Sequence, residues 1–337
     1  MALIPDQLRW AAANLADEPG FVVHGTGPTG TAAITYGEWH ATSSRLAHGL
    51  IDAGVQAGDR VAMVLRPEDG LAFVQTYSAI HKAGGVAVPV NVRMAANLVE
   101  GVLKHCEPAV TVVAPELAHL APSGVGWESL LTDDSEDIQV DRDSDDLAEI
   151  LYTSGTTSAP KGGAIRHSNS AMVITAEPEW TGRPWLHACP MFTFSGMTFV
   201  YQPMRMGMYT LYLAKFDTAA WLRLIETAKP KCVFLVPAMV ELLLADARDA
   251  LDVVALQRTD AVPRGAGAGA QGDRGLGRDD FGAFAGEQER DGARLVAELL
   301  RVVLAEVALA GGGGGGDGGG GVDLGDGDDA HARGIAT

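Results

Sequence analysis

Apolar residues along the first 250 positions recur with two alternating periods. Trp39, Ser43, Leu46, Leu50 and Ile51 follow a helical spacing that stops at Gly54. The preceding Thr35-Tyr36-Gly37-Glu38 has the form of a capping box, in which hydroxyl and carboxylate satisfy the exposed backbone donors of a helix start. A continuous apolar run at Arg60 to Leu65 predicts a buried strand. Gly70 to Ala83, carrying Phe73, Val74, Tyr77 and Ile80, predicts a helix, and Val86 to Val90 a second strand. A helix from about Ala95 to Cys106 and a strand from Ala109 to Val113 complete the series. Helices alternating with short apolar strands predict repeated βαβ units, the outline of a doubly wound α/β sheet.

The period breaks at Asp133 to Asp146, where eight carboxylates stand against Arg142 alone. Such a run reads as a solvated connector in preference to a metal site. Beyond it the pattern resumes. A strand leads in at Glu149 to Tyr152, a helix starts near His167, and strands follow at Trp185 to Cys189 and near Met208 to Leu213. Asp217 to Ala228 makes an amphipathic helix through Trp221, Leu222, Leu224 and Ile225. The strand Cys232 to Val236 precedes a helix opened by Pro237, a residue suited to a first turn. The expected organisation is a first α/β subdomain over residues 1–132, an acidic linker over 133–147, a second α/β portion over 148–250, and a tail over 251–337.

That tail differs in kind. Residues 257–337 hold 22 of the 42 glycines and no Lys, Tyr, Trp or Cys, so little apolar surface is available to offset the entropy of ordering them. It is expected to be largely disordered, with Ala293 to Ala310 as its best local helix. Its Gly, Ala, Arg and Asp content also suits a GC-rich gene read out of frame.

Charge and composition narrow the function. A net charge of −18 argues against nucleic acid or an anionic membrane as partner. No apolar run is long enough for a transmembrane span, and the N-terminus lacks the order of a signal peptide. Cys106, Cys189 and Cys232 are far apart, as reduced core residues of a cytoplasmic protein would be. His24, His40, His48, His81, His105, His119 and His187 are dispersed and form no metal-binding spacing, so they read as structural or surface residues.

Chemistry concentrates in Leu151-Tyr152-Thr153-Ser154-Gly155-Thr156-Thr157-Ser158-Ala159-Pro160-Lys161-Gly162-Gly163. Small residues let backbone N–H groups converge on an anion, five neighbouring hydroxyls add donors, and Lys161 supplies a full charge. The segment reads as a polyphosphate-holding loop at the end of a strand, where ligands of α/β proteins bind. A Ser/Thr-rich surface turn is the plain alternative. It is not a P-loop, because Pro160 precedes and Gly162 follows the lysine.

Tyr152 to Gly162 resembles the phosphate loop of the adenylate-forming superfamily, the AMP-binding acyl- and aryl-CoA synthetases and their relatives. His167 and Asn169 stand where that family carries His-x-Asn. Gly58-Asp59-Arg60-Val61 and Lys82-Ala83-Gly84-Gly85-Val86-Ala87-Val88-Pro89 fit its opening order. The resemblance covers about residues 1–248 and implies an incomplete N-terminal domain of the adenylate-forming fold, with two βαβ-type subdomains and mainly parallel sheets.

It further implies ATP, Mg²⁺ and coenzyme A as cofactors and a carboxylic acid, fatty or aromatic, as substrate. Thr153, Ser154, Gly155, Thr156, Thr157 and Ser158 would wrap the phosphates, with Lys161 as catalytic cation and His167 as a hydrogen-bonding group at the next helix start. Thr193, Phe194, Ala238 and Met239 are candidate acyl-pocket walls, although core packing equally accounts for Phe194 and Met239. Thr193 departs from the His that many members carry there. The family's Tyr-Gly-x-Thr-Glu motif, whose Glu holds Mg²⁺, its ribose-binding Asp and its C-terminal catalytic Lys have no counterpart, and no lysine follows Lys231. A severely reduced adenylation rate is therefore expected. The alternative is a truncated or frameshifted fragment that only binds nucleotide or acyl group; a domain loading a carrier protein ranks below both.

Overall fold

Two sheets carry the chain. The computed structural model describes residues 3–26, 30–153, 161–170, 178–246 and 321–323. In chain order the elements are α1 (Ile4–Asn14), β1 (Pro19–Thr26), β2 (Gly30–Thr35), α2 (Tyr36–Asp52), β3 (Arg60–Val64), α3 (Gly70–Lys82) and β4 (Val86–Pro89). Then come α4 (Ala96–Cys106), β5 (Val110–Val113), β6 (Leu147–Thr153), β7 (Lys161–Arg166), α5 (His167–Ser170) and β8 (Pro184–His187). The series ends with α6 (Phe194–Arg205), β9 (Tyr209–Leu213), α7 (Thr218–Ala228), β10 (Cys232–Phe234), helical residues 237–246, and β11 (Gly321–Asp323).

One sheet has the order β5-β3-β4-β6-β7, parallel except for the antiparallel β6–β7 pair. Strands β3 and β4 are apolar apart from Arg60, because both faces are covered. Val61 and Met63 of β3 enter the core shared with α2 and α3, while the intervening Ala62 and Val64 join Val99, Val102 and Cys106 of α4. The other sheet has the order β11-β10-β8-β9-β1-β2, parallel from β10 through β1. The α/β class with mainly parallel sheets is therefore what the chain adopts.

The division between sheets does not follow the sequence. The N-terminal hairpin β1–β2 pairs with β9, with Phe21 opposite Thr210, and β6–β7 joins the sheet of β3 to β5. Helix α3 packs on β1 and β2 of one sheet and on β3 and β4 of the other, and nearly every residue it contains is buried. Aromatic rings fill this central layer. Trp39 donates its indole N–H to the Val74 carbonyl (3.1 Å) and to Ser78 Oγ (3.0 Å), and Ser78 Oγ also meets the Tyr201 hydroxyl at 2.6 Å.

The capping box forms as the sequence reads, with Thr35 Oγ1 accepting from the Glu38 N–H and Glu38 accepting from the Thr35 N–H. Ile51 does not face the core as its spacing suggested. It is 41% exposed, because it stands about 100° further round the helix from Leu50, which is wholly buried. Helix α1, strands β1 and β2, and α6 were not anticipated. In α6, Gly196 and Pro203 interrupt the apolar period, yet the helix continues through both.

Two units are distinguished. Both sheets and α1–α6 belong to the first, and α7 with residues 237–246 to the second. Within the second, Asp217 caps α7 by accepting from the Ala220 N–H (2.8 Å), and Trp221 is buried beside Phe216. Apart from β11, the tail expected to be disordered lies outside the described residues. Cys106, Cys189 and Cys232 are all buried, and among the described residues no helix is long and apolar enough to cross a membrane.

Candidate functional site

The hydroxyl-rich loop connects β6 to β7, whose last pair is Thr153 opposite Lys161. Because β6 runs parallel to β4, this connection leaves the sheet at the carboxyl ends of its parallel strands. Ser154, Gly155, Thr156, Thr157 and Ser158 lie outside the described residues, as does the Thr153 side chain. Lys161 is the first residue of an exposed edge strand. Opposite Gly162 stands Tyr152, and a Cβ on Gly162 would fall 2.8 Å from Ile150 Cγ2 and 3.2 Å from Tyr152 Cζ. The Tyr152 hydroxyl in turn meets His105 Nδ1 of α4 at 2.6 Å.

Behind the hairpin is a buried polar group that sequence reasoning missed. Glu149, on β6, accepts a hydrogen bond from the Tyr77 hydroxyl at 2.9 Å. Burial raises this carboxyl to about 7, the Tyr77 hydrogen bond opposing the shift. His81 bonds the Ala148 carbonyl through Nε2 (3.0 Å) and stacks edge-on against both Tyr77 and His167. Burial pushes His81 down to about 3 and His167 to about 4. His167 thus sits near the base of the hairpin, but its Nδ1 has no hydrogen-bond partner among the described residues. The available signal was a single carboxylate inside the apolar run Leu147-Ala148-Glu149-Ile150-Leu151.

The acyl-pocket candidates divide between the two units. Thr193 caps α6: its hydroxyl accepts from the Gly196 N–H (3.2 Å) and donates to the Pro190 carbonyl (2.7 Å). A Cβ on Gly196 would stand 2.1 Å from the Pro190 oxygen, so this close turn requires glycine. Phe194 is 48% exposed, and the neighbouring Phe192 ring lies 6.0 Å beneath the Arg93 guanidinium. In the second unit Ala238 is exposed and Met239 half-buried. His187, between Phe199 and Tyr212, is fully buried with neither ring nitrogen partnered among the described residues, and burial pushes it down to about 3. No cluster of His, Cys, Asp or Glu that could hold a metal ion occurs among the described residues.

The chain is an α/β protein with two mainly parallel sheets, in which the hydroxyl-rich sequence follows the carboxyl end of β6. The profile of the family described as AMP-binding enzyme matches residues 8–268, and the chain belongs to that family. It is 33% identical over 233 residues to a feruloyl-CoA synthase of Amycolatopsis sp, covering 65% of this chain and 47% of the relative. It is 28% identical to a long-chain-fatty-acid–CoA ligase of Mycobacterium tuberculosis, covering 59% and 44%. The chain spans about half the length of the curated relatives it matches. Among solved structures, the inhibitor-bound N-terminal domain of FACL13 from Mycobacterium tuberculosis superposes with a TM-score of 0.63 at 25% identity, over 72% of this chain and 65% of that one. Apo MatB from Rhodopseudomonas palustris gives 0.58 at 26% identity, over 72% and 50%.

Proposed function

We propose that the chain is the nucleotide-binding part of an AMP-forming carboxylate–CoA ligase acting on a fatty or aromatic acid. The observation that carries this reading is the β6–β7 hairpin, whose connecting sequence holds four hydroxyls, follows Thr153 at the end of β6 and leads to an exposed lysine. In the reaction a carboxylate oxygen attacks the α-phosphorus of ATP. The bond from that phosphorus to the bridging oxygen breaks, and pyrophosphate leaves with the bonding pair. A thiol then attacks the acyl carbonyl and AMP departs. Thr153, Ser154, Gly155, Thr156, Thr157 and Ser158 hold the β- and γ-phosphates by backbone and hydroxyl donors, and Lys161 offsets the charge that grows on the leaving group. Phe194, on the helix that Thr193 caps, contributes apolar surface to the acyl end.

Calorimetry with ATP and magnesium, followed by carboxylate-dependent exchange of labelled pyrophosphate into ATP, tests the proposal. Affinity and exchange together support the ligase. Affinity without exchange supports a binding-only role. No affinity removes both readings.

A further inference from the structure

The acidic run at 132–146 has little regular structure of its own, yet it is fastened at both ends and in the middle. At its start, Arg45 Nε donates to the Thr132 carbonyl (2.5 Å) and Thr132 Oγ1 donates to the Arg45 carbonyl (3.0 Å). His48 Nε2 lies 3.1 Å from the Glu136 carbonyl and 3.5 Å from Asp134 Oδ2. In the middle, Asp137 meets Arg9 Nε at 2.6 Å and Lys82 Nζ at 3.4 Å, while Arg9 also donates to the Ile138 carbonyl (2.7 Å). Val140 lies over the α3–β4 turn, where Gly84 has φ +76° and a Cβ would stand 2.8 Å from Val140 Cγ1. At its end, the Ser144 and Asp146 carbonyls accept from the Ser168 (2.8 Å) and His167 (3.1 Å) N–H groups, and Arg166 bonds the Asp145 carbonyl.

Lys82 is what makes the middle contact decisive. The side chain is wholly buried, and its ammonium donates to the His40 carbonyl (2.9 Å), Ser44 Oγ (2.7 Å) and His40 Nδ1 (3.0 Å). All three acceptors are neutral, since burial and the Lys82 charge push His40 down to about 4. Burial lowers Lys82 to about 8, so it stays charged at neutral pH, and Arg9, itself paired with Asp6, adds a second cation nearby. Among the described residues Asp137 is the carboxylate paired with Lys82. A buried cation left without its counter-ion is costly.

We infer that residues 132–146 form a strap, held in place by Asp137 in the socket of Lys82, Arg9 and His40, that positions the base of the β6–β7 hairpin. Asp137 is a positioning residue. The hairpin's role in nucleotide binding rests on the function proposed above, but the strap itself is read by hydrogen exchange without nucleotide. In Asp137→Asn, amides of 132–146 and of both hairpin strands are expected to exchange at least about tenfold faster, with α2 and β3 amides unchanged. Adding Lys82→Met, which removes the unpaired charge, should return much of that protection. The inference is overturned by wild-type exchange in either segment, by equal acceleration throughout the chain, or by a double variant no better protected than Asp137→Asn. If Asp137→Asn does not accumulate as folded protein, the double variant is still expected to fold, and its failure would count the same way. A wild type that binds no nucleotide would instead remove the functional reading and leave the exchange result standing.

Discussion

Glu149 is a carboxyl placed where ionisation is penalised, on an apolar strand with one hydroxyl as partner. Its value of about 7 in the folded protein lies above the ordinary 4.5. The folded state therefore holds the proton more tightly, and this contribution to stability is complete below about pH 4.5 and lost as pH rises through 7. Glu149→Gln keeps an acceptor for Tyr77 without the charge. It should make the protein more stable than the wild type above pH 7, by up to roughly 3 kcal/mol, with no gain at pH 4; urea titrations at the two pH values measure this. At the start of α6, Gly196→Ala pushes a methyl into the Pro190 carbonyl and should cost about 1–3 kcal/mol in the same assay. The spacing of apolar residues could not reveal that contact, because a glycine needed for close approach reads as any other glycine until the chain is folded.

At the scale of elements, the β6–β7 hairpin separates binding from folding. Lys161 is exposed on an edge strand, so Lys161→Ala should leave the melting temperature within about 1–2 °C of the wild type. Nucleotide affinity should fall at least about tenfold, since a charge-assisted contact is lost. Calorimetry beside a thermal scan distinguishes the two effects, and a stable variant with unchanged affinity would refute the role given to this lysine. The strand leading into the loop was legible in Ile150-Leu151-Tyr152, and β3, β4 and β5 in their unbroken apolar runs. Strand β7 was not, because Lys161-Gly162-Gly163-Ala164 has low strand propensity and gains its place from pairing with β6. The hairpin β1–β2 was missed for a similar reason: its partner β9 is almost two hundred residues away in sequence.

For the whole molecule, the buried histidines set the acid limit. His81 and His187 are pushed down to about 3, and His40 and His167 to about 4, with burial the largest cause in each. Their folded values lie below the unfolded 6.5, so the unfolded chain binds more protons in acid. Stability from this source is present above about pH 6.5 and lost as pH falls toward 4. The melting temperature should drop over that interval. His187→Phe, which removes a ring with no hydrogen-bond partner among the described residues and keeps aromatic packing against Phe199 and Tyr212, should flatten the decline. An unchanged pH profile in that variant would show that His187 is reached by solvent.

The family-defining loop, the first set of parallel strands and the capped helix α2 were all written in consecutive residues, because hydroxyl clustering, apolar runs and capping boxes act over neighbouring positions. Tertiary structure alone decided which strands share a sheet, that α3 is buried between two of them, and that an acidic run is bound to Lys82 and Arg9 instead of standing free. These depend on contacts between residues far apart in sequence, and on burial, which turns an ordinary glutamate, lysine or histidine into a group whose charge the fold must control.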